Sequence, residues 1–292
     1  MQLSYYPGCT LKTNAKNFEK SALAVLKHLG VSVDELADWY CCGVCFSQTQ
    51  DNLMQQIAPV RTLVKAKESG NQQLLALCAM CYNTLKRSIE FIKDDAEKLQ
   101  TIHQFMDLET TQFYGNEVDV VDILTLIKQI GLEKLKKSIV KTEFGLKIAS
   151  YYGCMLLRPK ELAIDSADDP VIMEEILASA GCENVYFPFR TECCGSYQIV
   201  NEPDIVKDRA KKIVGSAIKN GADLMVMLCP LCYFNLDEVQ KDIQKEDKSF
   251  QTIPVLYITQ VLALLMGLKP DIHDFSLHSI DPRPVLKMKG LL

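Results

Sequence analysis

Several features that mark common protein classes are missing from this chain, and each absence removes a function. No dense Lys/Arg block occurs, and the formal charge of −5 with a pI near 5.5 argues against a nucleic-acid face. The most apolar stretch, Val255 to Leu268, carries Thr259 and Gln260 and is too short for a transmembrane segment. Met1-Gln2-Leu3-Ser4 offers neither a basic start nor an apolar h-region, so no secretory signal is expected. There is no Gly-x-Gly-x-x-Gly loop for a dinucleotide. The four histidines (His28, His103, His273 and His278) stand outside any metal motif. The ferredoxin run CxxCxxCxxxCP is also absent, which speaks against an ordinary low-potential relay cubane.

What the chain does have is cysteine, twelve in 292 residues. Without an export signal, that many thiols indicate a reducing, cytoplasmic setting in which they serve metals or redox chemistry. Ten of the twelve fall into two copies of one pattern. The first copy is Cys9, then Cys41-Cys42-Gly43, then Cys78-Ala79-Met80-Cys81. The second is Cys154, then Cys193-Cys194-Gly195, then Cys229-Pro230-Leu231-Cys232. Five thiols arriving in the same order twice, from separated segments, describe two metal sites. Cys45 and Cys182 stand outside the pattern and read as small core hydrophobes.

The repeat extends beyond the cysteines. Ser4-Tyr5-Tyr6-Pro7-Gly8-Cys9 returns as Ser150-Tyr151-Tyr152-Gly153-Cys154, and the copies are offset by about 145 to 152 residues, half the chain. A period of this length means duplicated globular domains rather than a solenoid. We place the first domain at 1–140 and the second, with a C-terminal tail, at 141–292, the boundary falling near Ser138 to Glu143. At 48% apolar residues the chain can bury substantial cores without disulfides.

Within each half, short apolar runs alternate with amphipathic stretches. The fold class is therefore α/β, with two homologous, pseudo-symmetric domains, each a small, mostly parallel sheet flanked by helices. Strands are predicted at Gln2 to Tyr6, Gln73 to Leu77, Leu146 to Tyr152, Val185 to Phe187 and Leu224 to Leu228. Helices are predicted at about Ala15 to Leu29, Leu53 to Ser69, Tyr82 to Leu99, Val118 to Ile130, Val171 to Ala180, Asp204 to Asn220, Tyr233 to Lys245 and Tyr257 to Gly267. The tail after Pro270 reads as irregular. All three cysteine segments of a repeat then lie at strand ends, where sites of open parallel sheets form.

The spacing leaves two metals open. Structural zinc takes four ligands in a closed tetrahedron, and a fifth thiolate has no place there. Five thiolates suit a polynuclear iron–sulfur cluster, and thiolate-only ligation favours iron and sulfur.

A cysteine, a Cys-Cys-Gly and a CxxC in that order form the CCG motif. Two copies over the whole chain resemble the B-type subunit of heterodisulfide reductase and its relatives. The resemblance implies a noncubane [4Fe-4S] cluster on Cys9, Cys41, Cys42, Cys78 and Cys81, and a second on Cys154, Cys193, Cys194, Cys229 and Cys232; one cluster plus zinc is the alternative cofactor set. It further implies a catalytic subunit that reduces a disulfide such as CoM-S-S-CoB to two thiols in two one-electron steps, one at each cluster. The implied partners are a ferredoxin-like iron–sulfur subunit and a flavin subunit of the same complex, in anaerobic metabolism such as methanogenesis or flavin-based electron bifurcation. A relay subunit acting on another acceptor is the competing reading.

Arg158, with Lys160, follows Cys154, and Arg190 precedes Cys193; both are candidate contacts for an anionic substrate group. The tyrosines beside the cysteines (Tyr5, Tyr6, Tyr82, Tyr151, Tyr152 and Tyr233) are candidates for packing on the clusters or donating hydrogen bonds. Met155 and Ser196-Tyr197-Gln198 stand where methanogen-type relatives carry a His and a glycine-rich stretch, so this chain lacks that His.

Overall fold

A computed structural model describes residues 1–44, 52–106, 109–142 and 144–292. Strand β1 (Gln2–Tyr6) is buried from Leu3 onward and sits inside a four-stranded sheet of order β2-β1-β3-β4, with β2 at Ser32–Glu35, β3 at Gln73–Ala76 and β4 at Asp119–Val121. The second half repeats this as β6-β5-β7-β8, with β5 at Lys147–Ser150, β6 at Glu183–Asn184, β7 at Leu224–Met227 and β8 at Val255–Tyr257. All six strand pairings are parallel. The central strands are buried on both faces, as helices on either side of a parallel sheet require; β7 (Leu-Met-Val-Met) has no exposed residue.

Four expectations are corrected. The helix expected over Val118 to Ile130 is strand β4 followed by a helix at Ile123–Ile130. Buried Asp122 sets that boundary: its carboxylate accepts from the Leu124 N–H at 2.8 Å and caps the helix, leaving the β-branched residues before it extended. Tyr257 likewise ends β8, and the helix begins at Ile258 (Ile258–Leu265). The single helix expected over Tyr82 to Leu99 is two, Ala79–Ile92 and Ala96–Phe105, because Asp95 caps the second. The strand expected at Val185 to Phe187 lies instead at Glu183–Asn184. The tail packs inward: His273, Leu286 and Leu291 are buried, with a short helix at Arg283–Met288.

The halves exchange helices. Ile258–Leu265, which follows the last strand of the second half, packs along Lys16–His28, which follows the first strand of the first half. Reciprocally, Ile123–Ile130 and Leu132–Ser138 pack on Ile172–Ser179 of the second half. Phe18 stacks on Tyr257 at 4.3 Å, and the Ser21 and Thr259 hydroxyls share a hydrogen bond of 2.7 Å. Lys128 pairs with Glu175 across the other contact.

Candidate metal centres

In the order β2-β1-β3-β4 the topology reverses between β1 and β3, and the carboxyl ends there open a crevice. Cys9 lies on the one-turn helix Gly8–Leu11 after β1, and Cys78 and Cys81 follow β3. Cys41 and Cys42 follow β2. The second half places Cys154 after β5, Cys193 and Cys194 after β6, and Cys229 and Cys232 after β7. Sulfurs within a half approach in pairs: Cys41 and Cys9 at 3.8 Å, Cys42 and Cys81 at 3.5 Å, and Cys194 and Cys232 at 3.4 Å. Among the described residues, no three His, Cys, Asp or Glu side chains meet closely enough to hold a single ion.

Local sequence explains this placement. Tyr6 and Tyr151, each three residues before its lone cysteine, play the same part. The Tyr6 hydroxyl donates to the Tyr40 carbonyl at 2.7 Å, and that of Tyr151 to the Glu192 carbonyl at 2.6 Å. Each tyrosine therefore ties a strand end to the residue just before a Cys-Cys pair. Gly8 has φ +69°, and a Cβ there would lie 2.9 Å from the Cys81 sulfur; the counterpart distance at Gly153, φ +64°, is 3.3 Å to Cys232. Glycine lets the backbone close over the thiol.

Cys78 and Cys229 are N-caps of the helices Ala79–Ile92 and Pro230–Glu246. Hydrogen bonding from Cys232 lowers Cys229, helped by backbone N–H groups of Cys232 and Leu231. The other thiols oppose one another. Hydrogen bonding from Cys41 and then Cys81 draws Cys42 down to about 3, while Cys41 is pushed up. Cys154 and Cys194 draw Cys193 down to about 2, while Cys154 rises and Cys194 is pushed up to about 12. Cys81 and Cys232 rise well above the usual thiol range through hydrogen bonding with Cys42 and Cys78 and with Cys194 and Cys229 respectively, and through burial. The paired thiols Cys41 with Cys42, Cys193 with Cys154 and Cys229 with Cys232 oppose one another's ionisation, and a cationic metal group would displace the protons they retain. The donor set, five thiols and nothing harder, fits an iron–sulfur group. The buried Tyr257 hydroxyl, raised by burial and by charge on Cys229 and Cys78 among others, has no partner, which leaves a donor available between the two halves.

The other sequence candidates separate. Arg190 is buried and held by Glu174 at 2.8 Å and by Asp169, and its guanidinium lies 4.6 Å over the Tyr186 ring. Exposed Arg158 donates to the Thr191 carbonyl at 3.1 Å. Cys182 is buried apart from both sets, its thiol pushed up to about 12 by burial alone. Cys45 lies outside the described residues.

Sequence reasoning missed the contacts between halves. Tyr82 and Asn83, just after the first CxxC, reach the loop that follows Cys154. Tyr82 donates to the Leu162 carbonyl at 3.1 Å, and Asn83 donates to the Met155 and Arg158 carbonyls at 2.9 and 2.7 Å. These three bonds span this crevice. In the pseudo-equivalent one, Tyr233 donates to Leu277 in the tail instead, at 3.2 Å. There a cavity of ≈ 180 Å³ lies between Thr10, Asn14 and Ala15 of the first half and Pro230, Leu231, Phe234, Glu238 and Tyr257 of the second. No Lys or Arg is among its described lining residues.

Two parallel sheets, each with five thiols at its switch point, define a duplicated cysteine-rich redox protein. The chain belongs to the CCG cysteine-rich domain family, whose pattern matches twice, at residues 3–86 and 148–237. It is 32% identical over 91% of its length to the 8-methylmenaquinol:fumarate reductase membrane anchor subunit of Wolinella succinogenes, covering 93% of that protein. It is 29% identical to the heterodisulfide reductase B-type subunit-like protein of Archaeoglobus profundus, over 90% of each chain. The B-type subunit of a CoB-CoM heterodisulfide reductase of Methanosarcina acetivorans is 28% identical over 92% of this chain and 91% of the relative. The crystal structure of a hypothetical protein from Helicobacter pylori shares the fold, with a TM-score of 0.75 and 13% identity, over 95% of this chain and 51% of that one; the chain thus spans about half of that structure. Among the described residues no helix is long and apolar enough to cross a membrane.

Proposed function

We propose that the chain is the substrate-facing iron–sulfur subunit of a multi-subunit oxidoreductase, with a noncubane [4Fe-4S] cluster on the five cysteines of each half. The observation that carries this reading is the cavity bounded by Thr10, next to Cys9, and by Pro230 and Leu231 of the second CxxC. One small molecule there lies beside both cysteine sets. When bound, the clusters supply one-electron steps, two of which balance the two-electron change of a disulfide or a quinol. The chain's own part is to hold ten thiolates, to shape the cavity and to bridge the opposite crevice through Tyr82 and Asn83.

The substrate implied by the heterodisulfide reductase relatives is a disulfide reduced to two thiols, with electrons delivered by a ferredoxin-like and a flavin subunit. A second reading is favoured by the cavity lining. Tyr197, Tyr233, Phe234 and Tyr257 give it aromatic walls, and among its described lining residues Glu238 is the one carboxylate and none is a cation for an anionic thiol. Such a wall suits an uncharged ring, as in the quinol named for the Wolinella relative.

Anaerobic iron, sulfide and zinc analysis with EPR tests the proposal. About eight iron and eight sulfide per chain are expected, the sum for two [4Fe-4S] clusters. A signal induced by thiols selects the disulfide, and cluster reduction by a short-chain quinol selects the ring. Four iron with one zinc, or a full iron count that neither substrate perturbs, overturns the two-cluster substrate-facing reading.

A further inference from the structure

The two cysteine sets differ at one repeated position. The third residue after each CxxC is Thr84 in the first half and Asn235 in the second, both fully buried, and each lies against the second cysteine of its own Cys-Cys pair. Asn235 turns its amide nitrogen to the Cys194 sulfur at 3.4 Å, and also to the Ser196 carbonyl at 2.9 Å and the Cys194 carbonyl at 3.5 Å. Every neighbour of that nitrogen is an acceptor, so the amide orientation is fixed by its surroundings. The group has two N–H donors: one serves Ser196, and the other is free for Cys194. Ser196 is itself held at φ +50°, so the same amide fixes the turn that aims the sulfur.

Thr84 offers less. Its hydroxyl has one proton and donates it to the Met80 carbonyl at 2.9 Å, while the same oxygen lies against Cys42. The second half therefore sets two N–H donors against three acceptors, one of them its ligand sulfur, whereas the first half has a single O–H already given to a carbonyl. A hydrogen bond to a ligand sulfur withdraws electron density and favours the reduced, more negative state of the metal group. Arg209, whose Nε donates to the Cys193 carbonyl at 3.0 Å, is paired with Glu192 at 2.5 Å and so adds no net charge there.

We infer that Asn235 is a positioning residue that raises the reduction potential of the second-half cluster, so that the two halves are electronically unequal and an electron settles in the second half first. This rests on the two-cluster reading above. The donor acts through Cys194, and no contact of Asn235 with substrate is involved.

The experiment is an anaerobic, EPR-monitored redox titration of the full chain and of two reciprocal variants, Asn235→Thr and Thr84→Asn. Asn235→Thr is expected to lower one of the two midpoints by about tenfold in the reduced-to-oxidised ratio at fixed potential, 59 mV for a one-electron couple. Thr84→Asn is expected to raise the other. Iron content read first separates the failures. Wild-type protein without two clusters defeats the two-cluster reading and this inference with it. Full iron with both midpoints unmoved in the variants defeats this inference alone. Should Asn235→Thr lose its iron, Thr84→Asn decides: an unmoved midpoint there overturns the proposal.

Discussion

Asn83, on the helix that carries the first CxxC, donates its side-chain amide to the main-chain carbonyl of Met155 at 2.9 Å, one residue beyond Cys154 of the other half. It reaches Arg158 in the same loop at 2.7 Å, so one buried side chain of the first half holds the ligand loop of the second. Asn83→Leu leaves two carbonyls without this donor. At roughly 0.5–1.5 kcal/mol net for each hydrogen bond removed, a loss of about 1–3 kcal/mol is expected in urea unfolding. Iron should fall by half, from the Cys154 set only. An unchanged urea midpoint would show that these bonds carry no weight.

Gly8→Ala and Gly43→Ala form a matched pair. Both glycines have positive φ, +69° and +65°, and alanine is strained at each by about 1–2 kcal/mol. Of the two, only Gly8 has its added Cβ against a ligand, at 2.9 Å from the Cys81 sulfur; at Gly43 no other described residue lies within 4 Å. Gly8→Ala is therefore expected to lose the first-half iron, and Gly43→Ala to keep it. Equal iron in the two variants would contradict the close approach.

Tyr257→Phe probes the unpartnered hydroxyl. Its ring stays clamped between Phe18 and Tyr233, at 4.3 and 4.7 Å, so packing is preserved. In chain stripped of metal, removing a buried oxygen without a partner should leave stability unchanged or raise it by about 1 kcal/mol. In loaded protein the same change should destabilise, because the hydroxyl then has an acceptor. Melting curves of both forms compare the two signs, and identical shifts would refute a partner supplied by the metal group.

The buried histidines contribute one part of the pH dependence, and buried Asp237, raised to about 6 by burial, contributes with the opposite sign. His278 Nδ1 faces the Val255 carbonyl at 2.9 Å, and its Nε2 faces amide donors of Gln260 and Asn17, which assigns the neutral ring with the proton on Nδ1. Burial lowers His278 and His273 to about 4, below the usual 6.5. Between those values the unfolded chain binds more protons than the folded one, so stability is present above 6.5 and is lost as pH falls through 4. From pH 8 to pH 5 each histidine should remove roughly 2 kcal/mol, read by urea unfolding at the two pH values. His278→Gln should flatten the slope; an unaltered slope would assign the effect elsewhere.

Those elements with a strong local signature were legible in the chain. Gln2 to Tyr6 reads as a strand because an apolar run ends at Pro7-Gly8, and it is one. Each CxxC was expected where a strand meets a helix, and each lies there. By contrast β2, Ser32–Glu35, is an edge strand whose residues are largely exposed, so no apolar alternation marks it. Strands β4 and β8 are three residues each, and their apolar run continues into the next helix, so the helical period absorbed them. The link from Asn83 to Met155 spans 72 residues and leaves no local trace. Tyr6 and Tyr151 become interpretable only once the repeat is aligned and both are seen to hold the residue before a Cys-Cys pair.

The reciprocal exchange of helices has an ancestral meaning. A single copy of this unit would leave the apolar face of its first helix uncovered, and a second copy related by a two-fold axis would cover it. Such a homodimer is isologous, so both of its crevices would have to be alike. Joining the copies in one polypeptide removes that constraint. One crevice is bridged by Tyr82 and Asn83, and the other is a chamber walled by Phe234 and Tyr257. Among the described residues the two crevices are unlike, a broken symmetry inaccessible to a dimer of identical chains.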